Sequence, residues 1–433
     1  MFLYIYTPNL QHVPFSTMLP AVAILAYAAC RHPSAFLLAI KHKRLFSFSV
    51  LWFVAIIFVV LVELFSGADS GRRIPDTYPV ILARIYIEGM LVATALWAIL
   101  RTKALEPTEF IIRLLLSAVV LQFVFVALMI LFPAWRDYFF SYLAQPIEKL
   151  EVGSWRYQSR GFGVASFHLF SYPLFNGLVF FISAWMAITR NYWYLLLSLM
   201  ALLPVFLNAR IGLIFVAIFL LSLLFAVVPR VSTRALGRYF LVATIGIGSL
   251  AFGVIFVVSI GLVPATVVNW IGTGLQEYAE IAVAGESGTL NTLLASHWHL
   301  PSGISIVTGE GRYLYQTSTY AGISSDIGYI NFLFYGGLFF SLLVYGAFLV
   351  LALGSIRPSS NLLERCIVGA ILCGLAVAHF KGIIFGANPF MKAVILLLVA
   401  FALDKRRSTT TGTKRLRLLL RGEPAGNREL SAM

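Results

Sequence analysis

The chain has 433 residues, of which 60% are hydrophobic and only 12% are charged, and its mean hydropathy is +0.89. Soluble domains contain about 25% charged residues and roughly half apolar residues, so this composition excludes a soluble globular protein. Apolar stretches recur along the whole length and predict a polytopic membrane protein. The net charge of +14 is explained by the excess of Lys and Arg in cytoplasmic loops of such proteins rather than by nucleic-acid binding.

A helix that crosses a bilayer needs about 20 mainly apolar residues. By this criterion the chain is an all-α polytopic membrane protein with about 11 (10–12) transmembrane helices. The predicted spans are residues 14–30, 46–66, 80–100, 111–131, 166–188, 192–207, 210–228, 238–262, 328–353, 363–383 and 388–403. Between them lie two long segments, 132–165 and 264–327, which we expect to form short interfacial helices over one face of the membrane domain.

The distribution of basic residues predicts the orientation of the chain. Most of the Lys and Arg residues lie in segments 31–45, 101–113, 189–191, 229–238, 354–365 and 404–433. The positive-inside rule places such segments in the cytoplasm. We therefore expect residues 1–403 to form a single transmembrane domain and residues 404–433 to form a basic cytoplasmic tail. The two long segments then become large loops on the outer face.

Two arginines are predicted to lie at the outer membrane surface. Arg160 precedes a glycine in "SRGFG" at the start of a span, and Arg210 lies in the tight hairpin "LNARIGL". A guanidinium can grip a phosphate group through two parallel hydrogen bonds. Arg160 has an alternative explanation, as an interfacial arginine that reaches the lipid headgroups. Arg210 opposes the positive-inside rule, which makes it a functional candidate.

The second long loop ends in "TGEGR", which contains Glu310 and Arg312, followed by a tyrosine-rich stretch that begins at Tyr313. Sugars bind with their C–H faces against aromatic rings, so this composition favours a glycan-binding loop. Asp326 lies where the loop returns to the membrane. It is a candidate helix N-cap, together with the two serines before it, and a candidate member of a site, and the two roles can coexist.

Other polar residues have both structural and functional explanations. Arg84 and Glu88 share a helical face at i, i+4, and form either a structural ion pair or part of a proton or sugar path. Lys381, at the outer end of a span, either adds positive potential or reaches the headgroups. His297 and His299 have no evident third metal ligand, and we expect them to pack at the interface.

These motifs together resemble one family. The "RGFG" motif before a span, "LNARIGL" at a tight outer hairpin, and "TGEGRYLYQ" with "SDIGYINFLFYGG" closing a large outer loop resemble the O-antigen polymerase and ligase superfamily. The resemblance is closest to Wzy-type O-antigen or exopolysaccharide polymerases and covers residues 150–345. It implies a multi-pass protein of the bacterial inner (cytoplasmic) membrane, with periplasmic loops 132–165 and 264–327 and a cytoplasmic C-terminus.

The family acts on oligosaccharides linked to undecaprenyl diphosphate, without a metal or nucleotide cofactor. The resemblance therefore implies a metal-independent glycosyltransferase that polymerises lipid-linked repeat units. It assigns Arg160 and Arg210 to the diphosphate. Asp326 occupies the position at which the ligase branch commonly has a histidine, which favours a polymerase and makes Asp326 the candidate general base. The expected substrate-binding residues are Glu310, Arg312, Tyr313 and Lys381.

The expected partners are the undecaprenyl-diphosphate-linked glycan, membrane lipid, a regulator of chain length and a flippase, with no nucleic acid. One alternative function is the O-antigen ligase of the same superfamily, which transfers a finished glycan to a lipid acceptor. An alternative from a different class is a transporter of polysaccharide or lipid-linked sugars. Transporters usually have internal repeats and charges near the midplane. The sequence has no clear repeat, and we identify only Arg84 and Glu88 near the midplane.

Overall fold

The structure is a computed structural model that describes residues 1–10, 16–65, 78–103, 105–142, 162–164, 170–226, 295–311, 325–356 and 362–404, with the backbone alone at 210, 225 and 226. It also describes the isolated positions 13, 269, 272, 273, 276, 280, 283, 291 and 360. The predicted span 238–262 and the tail beyond Asp404 lie outside the described residues.

All the regular elements in this part of the chain are helices, which confirms the all-α class. They occupy each of the predicted spans that the described residues include. The helices are α1 (Phe2–Tyr6), α2 (Leu19–Arg31), α3 (Pro33–Ile40), α4 (Lys43–Phe65), α5 (Tyr78–Arg84), a π-helical turn (Ile85–Leu91), α6 (Val92–Thr102), α7 (Pro107–Leu131), α8 (Pro133–Tyr142), α9 (Ser171–Thr189), α10 (Trp193–Asn208), a 3-10 turn (Arg210–Leu213), α11 (Ile214–Ala226), α12 (Ser305–Thr308), α13 (Gly328–Ser355), α14 (Leu362–Lys381) and α15 (Pro389–Leu403).

Six helices of the described chain are long and apolar enough to cross a membrane, which supports a multi-pass membrane protein. The number becomes seven if α2 and α3, which are bent by 110° relative to each other, form one broken span. Three shorter apolar helices accompany them, at Trp193–Asn208, Ile211–Leu224 and Pro389–Leu403. The total of about 11 spans stays a prediction.

The helix α15 forms the centre of the bundle. Every one of its 15 residues is buried, and α9 is buried over most of its length. An apolar helix in a membrane can face either lipid or protein, but the buried Lys392 in α15 requires protein neighbours, because an intramembrane cation is costly unless it is paired. Pro389 and the Asn388 side chain, which accepts from the Met391 amide at 2.9 Å, fix the start of α15. By contrast, α4 has large exposed apolar side chains and lies at the lipid-facing periphery.

One end of the bundle, here called the basic end, collects the basic helix termini. There the Thr108 hydroxyl donates to Asp404 at 2.7 Å, which joins the start of α7 to the end of α15. Both Arg190 terminal nitrogens contact the Glu109 carboxylate, and this hydrogen bonding raises the pKa of Arg190 above its usual value. Arg44 donates to the Gly354 carbonyl and joins α4 to α13. The predicted grouping of basic segments is therefore consistent with the packing.

The opposite end contains a broken helix. Gly337 in α13 has φ 66° and ψ −166°, which interrupts the helix two turns after its start. The segment Ser305–Gly311 packs into this break, so that Glu310 N donates to Phe334 O at 2.7 Å and Gly311 N donates to Tyr335 O at 3.0 Å. A Cβ at Gly337 would collide with the Val307 carbonyl. The break thus turns carbonyls of α13 into a docking place for the "TGEG" loop.

Candidate functional site

A side-chain clasp joins two of the predicted motifs at the opposite end of the bundle. Asn208, the last residue of α10, donates from Nδ2 to the Phe162 carbonyl at 3.0 Å and accepts from the Phe162 amide at 3.3 Å. The same Nδ2 also donates to Pro204 O at 2.9 Å. Asn208 is fully buried, so these bonds satisfy an amide that would otherwise be costly to bury. The "RGFG" and "LNAR" motifs therefore meet.

Arg136 also contacts this clasp and was not singled out from the sequence. Its guanidinium carbon lies 5.0 Å from the centroid of the Phe162 ring, and Arg136 is buried. It is part of α8, whose Trp135, Tyr138 and Tyr142 side chains are exposed, as expected of an interfacial helix over the membrane domain. A cation over an aromatic face is stabilised when both are shielded from water. The sequence signal was an arginine inside an aromatic, amphipathic helix.

A buried polar network lies beneath the clasp. Gln122 Nε2 donates to the Tyr172 hydroxyl at 2.7 Å, and the Tyr6 hydroxyl donates to Asn176 Oδ1 at 3.3 Å. The rings of Tyr6 and Tyr172 lie 5.6 Å apart. Gly163 sits directly on this network, because a Cβ there would meet Gln122 and Tyr172. The clasp therefore rests on helices α7 and α9 and on α1.

The two predicted arginines lie close to the clasp in sequence. Arg160 is two residues before Phe162 and is outside the described residues. Arg210, two residues after Asn208, begins the 3-10 turn, of which only the backbone is described at that position. This 3-10 turn packs closely against the first turn of α9, since a Cβ at Gly212 would collide with the Pro173 carbonyl. The Arg210 backbone thus lies at the opposite end of the bundle, and its position at the outer surface of the membrane stays a prediction.

Asp326 lies beside His297 at the start of α13. Its backbone amide donates to His297 Nδ1 at 3.3 Å, and the Ser325 hydroxyl donates to the His297 carbonyl at 2.7 Å. Ser325 also accepts from the Ile327 amide at 3.2 Å. The capping interpretation of Asp326 is wrong, because Ser325 makes that local contact and no residue caps α13 through its side chain. Within the described chain, no hydrogen bond engages the Asp326 carboxylate.

His297 and the end of α14 complete this side of the site. Trp298 packs on Phe380 with ring centroids 6.0 Å apart, and the interfacial position expected for His297 and His299 stays a prediction. His379 is buried between the rings of Phe332, Tyr329 and others, and a Cβ at Gly328 would collide with it. Lys381, the last residue of α14, is half-buried at the same end. Among the described residues, no group of three His, Cys, Asp or Glu side chains could hold a metal ion.

Glu310 is positioned by the break in α13. The hydrogen bond that its backbone amide donates to the Phe334 carbonyl places it two turns along the helix that starts beside Asp326. Nearby, the Tyr335 hydroxyl donates to the Glu63 carboxylate at the end of α4, and the rings of Tyr335 and Tyr78 lie 4.1 Å apart. The structure therefore brings Glu310 and Asp326 to the same half of α13. The predicted residues Arg312 and Tyr313 lie outside the described residues.

A comparison with models of known protein families found no match, and a comparison with curated proteins found none either.

Proposed function

We propose that the chain is a membrane glycosyl polymerase that joins undecaprenyl-diphosphate-linked oligosaccharide repeat units into O-antigen or exopolysaccharide at the periplasmic face. The observation that carries the proposal is the Asn208–Phe162 clasp, because it brings together the two motifs that hold Arg210 and Arg160. The proposal places the opposite end of the bundle in the periplasm, and the basic end and C-terminal tail in the cytoplasm. In this proposal the chain crosses the bacterial inner membrane about 11 times.

In this reaction the guanidiniums of Arg160 and Arg210 hold the diphosphate of the donor lipid. The bond between the anomeric carbon and the phosphate oxygen breaks, and the lipid diphosphate leaves with the electron pair. Negative charge therefore grows on the leaving group, and fixed cations at a partly dry interface stabilise it. Arg136 adds a third cation beside the same clasp. Lys381, Arg312 and Tyr313 supply further contacts to the substrate in this proposal.

The acceptor is a hydroxyl group on a second lipid-linked repeat unit. Its oxygen forms the new bond to the anomeric carbon, and its proton passes to the Asp326 carboxylate, which acts as general base. The half-buried Asp326 and the Glu310 segment docked in the α13 break support an acceptor position along the first two turns of α13. Glu310 then orients the acceptor sugar.

Replacing Asp326 with Asn is expected to lower the polymerisation rate about 100-fold or more, because an amide cannot accept the proton. The helix start should survive, since Ser325 makes the local contact with the Ile327 amide. Asp404→Asn is the matched control at the basic end, where the side chain accepts from Thr108. Polymerisation kinetics of the purified variants provide the measurement. Equal rates for Asp326→Asn and wild type would remove Asp326 from the mechanism.

The O-antigen ligase of the same superfamily is the second candidate function. The observation that favours it is His297, whose Nδ1 lies 3.3 Å from the Asp326 amide nitrogen. A histidine is therefore present where the loop returns to the membrane, although it comes from a different part of the sequence. An imidazole that accepts at Nδ1 carries its proton at Nε2 when neutral, so it can donate from Nε2 to a substrate oxygen, and it becomes a base for a ligase only when the Asp326 amide releases Nδ1.

Purified protein supplied with lipid-linked repeat units alone tests the proposal. A polymerase is expected to convert them into a ladder of products that differ by one repeat unit, with release of undecaprenyl diphosphate. A single product that forms only when a lipid acceptor is added would assign the chain to the ligase branch. Unchanged substrate, together with its movement across a vesicle membrane, would assign it to the transporter class. Heat-inactivated protein serves as the control.

A further inference from the structure

Three ionisable side chains meet inside the bundle, away from the site described above. Glu88 in the π-helical turn accepts from Arg84 Nε at 2.7 Å, and its other carboxylate oxygen lies 2.7 Å from Lys392 Nζ in α15. The Glu88 and Lys392 side chains are 0% and 1% exposed, respectively. We call these three residues the ionic cluster. π-helical turns inside α-helices are frequent at functional sites, and intramembrane charges usually pair or line a substrate path.

The N-terminal helix α1 covers the ionic cluster. The Tyr4 hydroxyl donates to the Glu88 carbonyl at 2.6 Å, and the Tyr4 carbonyl lies 3.4 Å from Lys392 Nζ. Two residues further along α1, Tyr6 contacts Asn176 in the network beneath the clasp. The short helix α1 therefore lies between the ionic cluster and the Asn208–Phe162 clasp.

The ionic cluster contains two cations and one carboxylate. Tyr4 contributes a carbonyl and the face of its ring, 5.3 Å from Lys392 Nζ, but no formal charge. With all three groups ionised, one positive charge is in excess. An uncompensated charge in a membrane interior is costly, so the ionic cluster favours an anion as a fourth member.

Arg84 is the accessible member of the ionic cluster. Its side chain is 33% exposed, and its Nη2 has only a long contact, 3.4 Å to the Thr17 hydroxyl. Within the described chain, its second terminal nitrogen has no hydrogen-bond partner. The helix α2 begins two residues after Thr17, and its Leu19 and Val22 are 53% and 52% exposed. The Arg84 guanidinium is therefore accessible from the side of the bundle on which the exposed apolar side chains of α2 lie.

The depth of Arg84 suits a lipid headgroup. Arg84 lies six residues after Tyr78, which corresponds to about 9 Å along the helix. Side chains lean toward the N-terminal end of their helix, which here is the opposite end, where Tyr78 contacts Tyr335. Arg84 therefore lies nearer the opposite end than the midplane position expected from the sequence. Its Nε stays bonded to Glu88, so a headgroup phosphate that enters from that end meets the terminal nitrogens of the guanidinium.

We propose that Arg84 and the ionic cluster bind the diphosphate of the acceptor lipid, the second lipid-linked substrate. This inference rests on the proposed function, in which two lipid diphosphates are bound at once: one leaves and one stays. The leaving diphosphate binds beside the clasp, and the one that stays binds on the other side of α1. Its lipid tail lies along the exposed apolar side of α2. The bound anion supplies the charge that the ionic cluster lacks.

The test counts the lipid diphosphates bound per chain by native mass spectrometry of the full-length protein with undecaprenyl diphosphate. Wild type is expected to bind two. Arg84→Gln is expected to bind one at the same lipid concentration, because the affinity of the second site falls about 10- to 100-fold when a charged donor is lost. Arg84→Gln leaves Glu88 paired with Lys392 and should fold. The matched control is Arg113→Gln, which changes the exposed i, i+4 partner of Glu109. This variant is expected to bind two molecules of undecaprenyl diphosphate.

Two competing ligands identify the source of the phosphate group. We add inorganic pyrophosphate or phosphatidic acid at the same concentration as undecaprenyl diphosphate. Neither is expected to displace the undecaprenyl diphosphate molecule whose binding depends on Arg84. Displacement by either would overturn the assignment to a lipid-linked substrate. Two results would refute the second site and leave the proposed function intact. In the first, Arg84→Gln still binds two molecules of undecaprenyl diphosphate. In the second, wild type binds only one molecule, and Arg210→Ala abolishes that binding whereas Arg84→Gln does not. No undecaprenyl diphosphate bound to wild type would refute both.

Discussion

Replacing Arg210 with Ala is expected to slow polymer formation about 100- to 1,000-fold, the effect of removing one preorganised donor from a developing anion. The Arg210 backbone begins the turn after α10, two residues from the clasp that fixes this hairpin. Substitution removes the guanidinium but none of the clasp bonds, so folding should be unaffected. Product ladders and initial rates from the purified variant, in the reconstituted assay with lipid-linked repeat units, provide the measurement.

Arg210→Lys and Arg160→Ala sharpen this experiment. Lysine keeps the charge but cannot form two parallel hydrogen bonds with a phosphate, so it should restore only part of the rate. Arg160→Ala is expected to resemble Arg210→Ala, since we assign both side chains to one diphosphate. Arg113→Ala, at an exposed position of the basic end, is the control. Wild-type ladders from Arg210→Ala would contradict the proposed role of the outer arginines.

Replacing Glu88 with Gln is expected to destabilise the protein by about 3–5 kcal/mol, the usual effect of removing one partner of a buried ion pair. The substitution leaves Lys392 with a positive charge and no carboxylate, in a place where Lys392 is 1% exposed. Unfolding in detergent, followed by circular dichroism or by the burial of tryptophan, measures the loss. This expectation is independent of the proposed reaction.

Two further variants separate the charge effect from lost packing. Arg113→Gln removes the exposed i, i+4 partner of Glu109 at the basic end and should cost about 0.5 kcal/mol or less. The double substitution Glu88→Gln with Lys392→Met removes the stranded ammonium and should recover much of the loss, since an apolar replacement of a buried pair is often neutral. A double variant that is less stable than Glu88→Gln would show that the uncompensated charge is not the cause.

The sequence predicted the helices well because span-length apolar runs leave few other structures in a membrane. It also predicted the Arg84–Glu88 pair, since a spacing of four residues places two side chains on one face of a helix. Lys392 was missed, although a lysine within the apolar run 388–403 was a visible signal. Its partner lies far away in sequence, and no periodicity reveals a contact between distant helices.

The candidate site was predicted in outline only. Local motifs pointed to the segments around Phe162, Asn208 and Asp326, but the bonds that join them are long-range. The Asn208 side chain looked like a hairpin residue, whereas its function is to hold another segment. The break at Gly337 and the loop docked in it could not be foreseen, because two adjacent glycines in an apolar run are also common in straight membrane helices.

Glu88 forms one ion pair with Arg84 and another with Lys392, and the first can form earlier than the second while the protein is being synthesised. Arg84 belongs to the same helical segment as Glu88, whereas Lys392 belongs to the last described helix. A newly made Tyr78–Thr102 helix can therefore enter the bilayer with its carboxylate already matched by a neighbouring cation. Lys392 lies in the first turn of α15 and is buried there, and a buried intramembrane ammonium is costly unless it is paired, so α15 is stabilised by the carboxylate that is already in place. Biogenesis of the core is thus expected to finish at its last helix, with α1 closing over Lys392 only after translation has passed Leu403.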